Sequence, residues 1–197
     1  GIRLLPAGFG HLHRVYHGLP MFSSTQAETV HVMEAAIEYW DREGSAAASR
    51  LFASIHWLQT ADAYALQYER LAWLYTAFDS VHVAAFQNPK YRARCGDLKQ
   101  RNVSHKKRLE AFEACYGTPV PAQFDRIVKI RNDLVHEARL DGRPLGYSAT
   151  AEAHELAHEL SYFVQQIIFG LLGVECGFRA VPYCWQRVAL DIVGTAP

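Results

Sequence analysis

Two short stretches of this chain carry residue types that could do chemistry. The first is Arg131-Asn132-Asp133-Leu134-Val135-His136. Phe124, Ile127, Arg131, Leu134 and Ala138 follow one another at helical spacings, so Arg131 falls on the apolar seam of its own helix. A guanidinium on a seam is costly unless it is paired, reaches a wet cleft or meets a partner chain. On the next stripe lie Asn132, Asp133 and His136, and the i, i+3 and i+4 relations let both Asn132 and Asp133 reach His136. A carboxylate or amide beside an imidazole fixes its orientation and can tune its proton affinity. Arg131 and His136 stand about 140° apart round the axis, so only the long arginine side chain can bring the two heads into one cleft. The plainer reading is that both residues merely hold a bundle or a dimer together.

The second stretch is His154-Glu155-Leu156-Ala157-His158, which matches H-E-x-x-H. On a helix, histidines four apart face one way and can bind zinc, with the glutamate activating water. A hydrolase of this kind also needs a third ligand, for which Glu175 is available, and a substrate-aligning strand, which no preceding sheet supplies. Leu156, Leu160, Phe163 and Ile167 form the inward stripe of the same helix. His154 and His158 stand about 120° and 160° from Leu160, on its polar face. Solvated histidines are favoured over a metal site here and also at His11, His13 and His17, where no cysteine is near.

These residues must be placed by helices. Ser24 and Thr25 can cap a helix running to about Arg42, with Glu28 completing a capping box. Val30, Met33, Ala36–Ile37 and Trp40 recur at helical spacing along it. Gly44-Ser45 breaks the chain, and a second helix follows from about Ala46 to Gln59. Thr60-Ala61-Asp62 opens the longest helix, to about Phe86, with Tyr64, Leu71, Trp73–Leu74, Phe78 and Val81 on its core face. Asn88-Pro89 ends it. Residues 90–102 read as a polar, basic segment, and a helix with Leu109, Phe112 and Cys115 comes next. Pro119 and Pro121 start a helix to about Leu140, Asp141-Gly142-Arg143-Pro144 makes a tight turn, and a long helix closes the domain over about Ser148–Leu172. The expected fold is all-α, an up-and-down helical bundle over residues 25–175. An irregular N-terminal arm, or the remnant of an upstream domain, occupies 1–24, and a C-terminal extension 176–197. The one strand candidate is the tail around Val181, Tyr183, Trp185 and Val188.

Composition narrows the function classes. Lys plus Arg equals Asp plus Glu at 20 each, so any nucleic-acid site must be local. The only basic concentration comprises Lys90, Arg92, Arg94, Lys99, Arg101, Lys106, Lys107 and Arg108. A solvated face is its plainer reading and a phosphate-backbone track its functional one. Cys95, Cys115, Cys176 and Cys184 form no C-x-x-C pair, which suits reduced thiols in the cytoplasm, although Cys176 and Cys184 could pair. The longest apolar run, near Ile167–Val174, is too short to span a membrane, and no signal peptide is evident. The first residue is Gly, which suits a C-terminal piece of a longer protein.

The wording Ile130-Arg131-Asn132-Asp133-Leu134-Val135-His136-Glu137, a short turn and a long closing helix resemble the signature of the HEPN superfamily, most of all its Apea-type domains. That signature is an Arg, often followed by a polar residue, then four to six residues and a His, on a late helix of a bundle. Arg50 and His56 repeat the spacing, but Leu51 follows that arginine.

The resemblance implies a metal-independent endoribonuclease with no cofactor, acting as a homodimer across a shared cleft, in prokaryotic defence or toxin–antitoxin systems. His136 would be general base or acid, and Arg131 would stabilise charge on the phosphate. Asn132 would position Arg131, His136 or the phosphate, Asp133 would orient His136, and the products would be a 2′,3′-cyclic phosphate and a 5′-hydroxyl. The alternatives are a non-catalytic binding or dimerisation module of a larger protein, and third a zinc hydrolase through His154, Glu155 and His158.

Overall fold

The computed structural model describes residues 26–63, 67–96, 98–137, 139–140, 143–144 and 151–174. The proposed N-terminal arm with its three histidines, the tail strand, Glu175, Cys176 and Cys184 therefore lie outside the described residues.

Helix α1 (Gln26–Ala63) is two helices end to end, because Gly44 sits at φ 82°, ψ 168° within it. That backbone region is open essentially to glycine alone, so the expected break falls where the sequence put it. The second half does not stop at Gln59. Thr60 donates its hydroxyl to the His56 carbonyl one turn back, and Ala61 is fully buried, so Thr60-Ala61-Asp62 continues this helix instead of opening the next. Helix α2 (Gln67–Ala85) follows and packs along α1.

The segment read as polar and basic contains a short helix, α3 (Pro89–Cys95). Asn88 caps it by accepting from the Lys90 N–H, Pro89 occupies its first turn, and Tyr91 and Cys95 are buried. A 3₁₀ turn (Gln100–Asn102) leads to α4 (His105–Tyr116), capped by Ser104 and ended by Gly117 in the left-handed conformation. Helix α5 (Phe124–Glu137) begins later than Pro119 and ends before Leu140. Arg139–Leu140 and Arg143–Pro144 instead pair as two-residue strands β1 and β2, antiparallel, with Leu140 opposite Arg143. Helix α6 (Ala151–Leu172) closes the bundle against α2 and α1.

The architecture is thus an all-α bundle, and four helices meet at Phe78 of α2. Its ring centroid lies 6.0 Å from Phe112 of α4, 5.4 Å from Phe124 of α5 and 6.0 Å from Phe163 of α6. Edge and tilted geometries of this kind add specificity to plain apolar burial. The expected α6 stripe, Leu156, Leu160, Phe163 and Ile167, is buried in full. In α1 the inward residues are Val32, Ala35, Ala36 and Tyr39, whereas Val30 is exposed; the expected stripe was shifted by about one residue. No described helix is long and apolar enough to cross a membrane.

Candidate functional site

Phe124, Ile127 and Ile130 anchor α5 in the core. Arg131 is next in the chain after Ile130, so its side chain leaves at the edge of the buried face and is half-buried. Its guanidinium carbon stands 5.2 Å from the centroid of the Tyr75 ring of α2, a cation–π arrangement. One of its terminal nitrogens donates to Asn132 Oδ1 at 3.0 Å. The seam position is thereby accommodated without an acidic partner among the described residues: the flat face of Arg131 lies on an aromatic ring and one edge on an amide.

Tyr75 connects Arg131 to a second cluster that the sequence reading did not single out. The buried Tyr75 hydroxyl lies 2.7 Å from Nδ1 and 3.3 Å from Nε2 of His105, the first residue of α4. One turn along each helix, Arg108 Nη1 donates to Asp79 Oδ1 at 2.7 Å, and Arg108 Nε donates to the Val103 carbonyl at 3.0 Å. Tyr75 and Asp79, four apart on α2, thus face His105 and Arg108, three apart on α4. Arg131 of α5 lies against the Tyr75 ring. The phenol is pushed well above its ordinary range by burial and by Asp79, with Arg131 and Arg108 opposing, so it stays a neutral hydroxyl. His105 is pushed down by burial, then by Arg108 and Arg131, against the pull of Asp79. Its imidazole is therefore held towards the uncharged form. The available signals were the histidine directly after a Ser104 cap and the phenol tip on an apolar stripe; neither identifies its partner across thirty residues.

His136 is exposed on the last turn of α5. Asp133 Oδ2 pairs with Lys129 Nζ at 2.9 Å, one turn in the opposite direction. Among the described contacts, no hydrogen bond joins Asn132 or Asp133 to His136. The structure brings Arg131 and Asn132 together and pairs Asp133 with Lys129. The side chain of His154 lies outside the described residues; Glu155 is exposed and His158 half-buried. Among the described residues, no group of three or more His, Cys, Asp or Glu side chains is placed to hold a metal ion.

No protein-family model, curated protein or solved structure matches the chain.

Proposed function

We propose that this helical domain is a metal-independent endoribonuclease of the HEPN type, acting as a homodimer in the cytoplasm. The observation that carries the reading is Arg131: a half-buried guanidinium held by Tyr75 and Asn132 on the helix that also presents the exposed His136. A fork fixed in this way suits a phosphodiester, because it meets the charge that builds on the phosphoryl oxygens without first being ordered. His136 supplies the proton transfer that cleavage by the neighbouring 2′-hydroxyl requires. The exposed cations Lys99, Arg101 and Lys106 border the start of α4 and give an RNA backbone somewhere to lie. The motif from Ile130 to Glu137 supports the same assignment through its resemblance to Apea-type domains, and with it a role in prokaryotic defence or toxin–antitoxin systems.

A second reading has its own support. Arg131 already has intrachain partners in the Tyr75 ring and Asn132 Oδ1, as a non-catalytic binding or dimerisation module would also have.

Labelled single-stranded RNA separates the two. Wild type should cut with and without EDTA, and His136→Ala should not cut. Cutting that EDTA abolishes, or that His136→Ala leaves intact, would sink the nuclease reading. A wild-type protein that cuts nothing favours the binding module.

A further inference from the structure

We propose that His105 is the general base of the cleavage site, taking the proton of the 2′-hydroxyl in the nucleotide whose phosphate Arg131 holds. This assignment rests on the ribonuclease reading above and adds a second histidine to it. Its ground is geometric. Tyr75 is shared: its ring carries the Arg131 guanidinium at 5.2 Å, and its hydroxyl contacts His105 at 2.7 Å. The imidazole ring itself stands edge-on to the phenol, with centroids 5.6 Å apart. An arginine from α5 and a histidine from α4 are thereby fixed on one side chain of α2. Arg108, the other cation of the cluster, is bound to Asp79 and to the Val103 carbonyl.

The chemistry follows from one tautomer. The phenol oxygen, 2.7 Å from Nδ1 and 3.3 Å from Nε2, lies off the in-plane direction of both nitrogens and so holds the ring without fixing its proton; in the tautomer protonated at Nδ1, Nε2 carries the lone pair. Nε2 then takes the 2′-hydroxyl proton as the 2′-oxygen attacks phosphorus. The bond from phosphorus to the 5′-oxygen breaks, and the departing oxygen takes a proton from the His136 imidazolium. The products are a 2′,3′-cyclic phosphate and a 5′-hydroxyl, and exchange with water returns each histidine to its starting form. A base must be uncharged at the working pH. The groups facing His105 are Tyr75 and Asp79 of α2, Arg108 of its own helix and Arg131 of α5, with His82 beyond; burial and the two arginines, against Asp79, push its pKa down and so favour the uncharged ring.

His105→Gln is the variant of choice, since an amide can still bond the Tyr75 hydroxyl but cannot act as the base. It should fold with a wild-type melting temperature yet cut RNA about 10²–10⁴-fold more slowly. The wild-type rate should rise with pH through the His105 titration, and this acid limb should vanish in His105→Gln. Cytidine 3′-monophosphate should shift the His105 ring signals in NMR spectra of wild type but not of Arg131→Ala. A His105→Gln rate within about threefold of wild type, with an unchanged pH profile, overturns the proposal while leaving the ribonuclease reading intact. A wild type that cuts no RNA removes both, and the lost nuclease reading is then identified by the wild-type arm alone.

Discussion

Arg131 and Tyr75 form a charge-on-ring contact between α5 and α2, and the same phenol binds His105 through its hydroxyl. Ring and hydroxyl therefore have separable roles. Tyr75→Phe keeps the platform under Arg131 and removes only the link to His105. It should cost about 1 kcal/mol, the usual worth of one hydrogen bond, or roughly 2–4 °C in melting temperature. Tyr75→Leu removes both and should cost more, through the lost ring contacts with Phe78 and Arg131. Calorimetry of the two variants decides the point: equal losses would show that the hydroxyl carries the whole effect.

Arg131→Lys separates charge from shape. A lysine retains the positive charge but not the planar fork that lies on the ring and reaches Asn132. RNA cutting should fall nearly as far in Arg131→Lys as in Arg131→Ala, while the melting temperatures of all three proteins stay within a few degrees, as expected for a contact worth about 0.5–1 kcal/mol. Full activity in the lysine variant would mean that Arg131 acts only as a point charge.

Asp133 gives a contrasting expectation. Its carboxylate is turned to Lys129, whose side chain is 63% exposed, in an i, i+4 pair with the less favourable order of charges. Asp133→Asn should change stability by less than about 0.5 kcal/mol. It should also leave the rate of RNA cutting within about threefold of wild type, because the carboxylate is paired with Lys129 and no described hydrogen bond joins it to His136. A large loss of activity would place Asp133 on the imidazole after all.

What could be read from the sequence was what one helix decides by itself. The α6 stripe was legible because Leu, Phe and Ile repeat without interruption, and the Gly44 break because few other residues would accept that backbone. The inward face of α1 was read in part: Ala36 is buried and Met33 and Trp40 pack on the core as expected, whereas Ala35 carries little hydrophobic signal beside Val30, which is exposed. Helix α3 was missed because seven residues give only one inward pair, Tyr91 and Cys95. At the site, the unusual position of Arg131 was visible from spacing. Its neighbours Tyr75 and His105 were not, since they arrive from two other helices, and no local pattern encodes a contact across that separation.

Gly170 has a packing reason that sequence also hides. A Cβ there would come within 2.8 Å of Tyr116 Cβ, an atom fixed to the α4 backbone and unable to swing aside. In an open helix, Gly→Ala would gain up to about 1 kcal/mol. Here Gly170→Ala should instead lose about 1–3 kcal/mol, because α4 and α6 must separate. Urea titration measures it, and a stabilised variant would refute the close approach.

His82 sets the response of the whole bundle to acid. It is 2% exposed on α2, with Nδ1 2.9 Å from the Tyr91 hydroxyl and Nε2 3.3 Å from the Gln100 carbonyl. Both contacts are satisfied by the uncharged ring, with Nε2–H donating to the carbonyl and Nδ1 accepting from the phenol. Burial, followed by Arg108, lowers its pKa from 6.5 to about 4, against the opposing pull of the Gln100 carbonyl; His105 lowers it further. Between those two values the unfolded chain binds a proton that the folded chain refuses, so stability rises with pH across this window. It is fully present above about pH 7 and is lost as the pH falls from 6.5 towards 4, by on the order of 3 kcal/mol in all. Carboxylates begin to titrate at the lower end of the same range, so the informative quantity is the difference between wild type and His82→Gln in urea titrations from pH 4 to 7. The variant should be less stable than wild type at pH 7, and the gap should narrow steadily towards pH 4. A gap that stays constant with pH would show that His82 takes up its proton in the folded protein as readily as in the unfolded one.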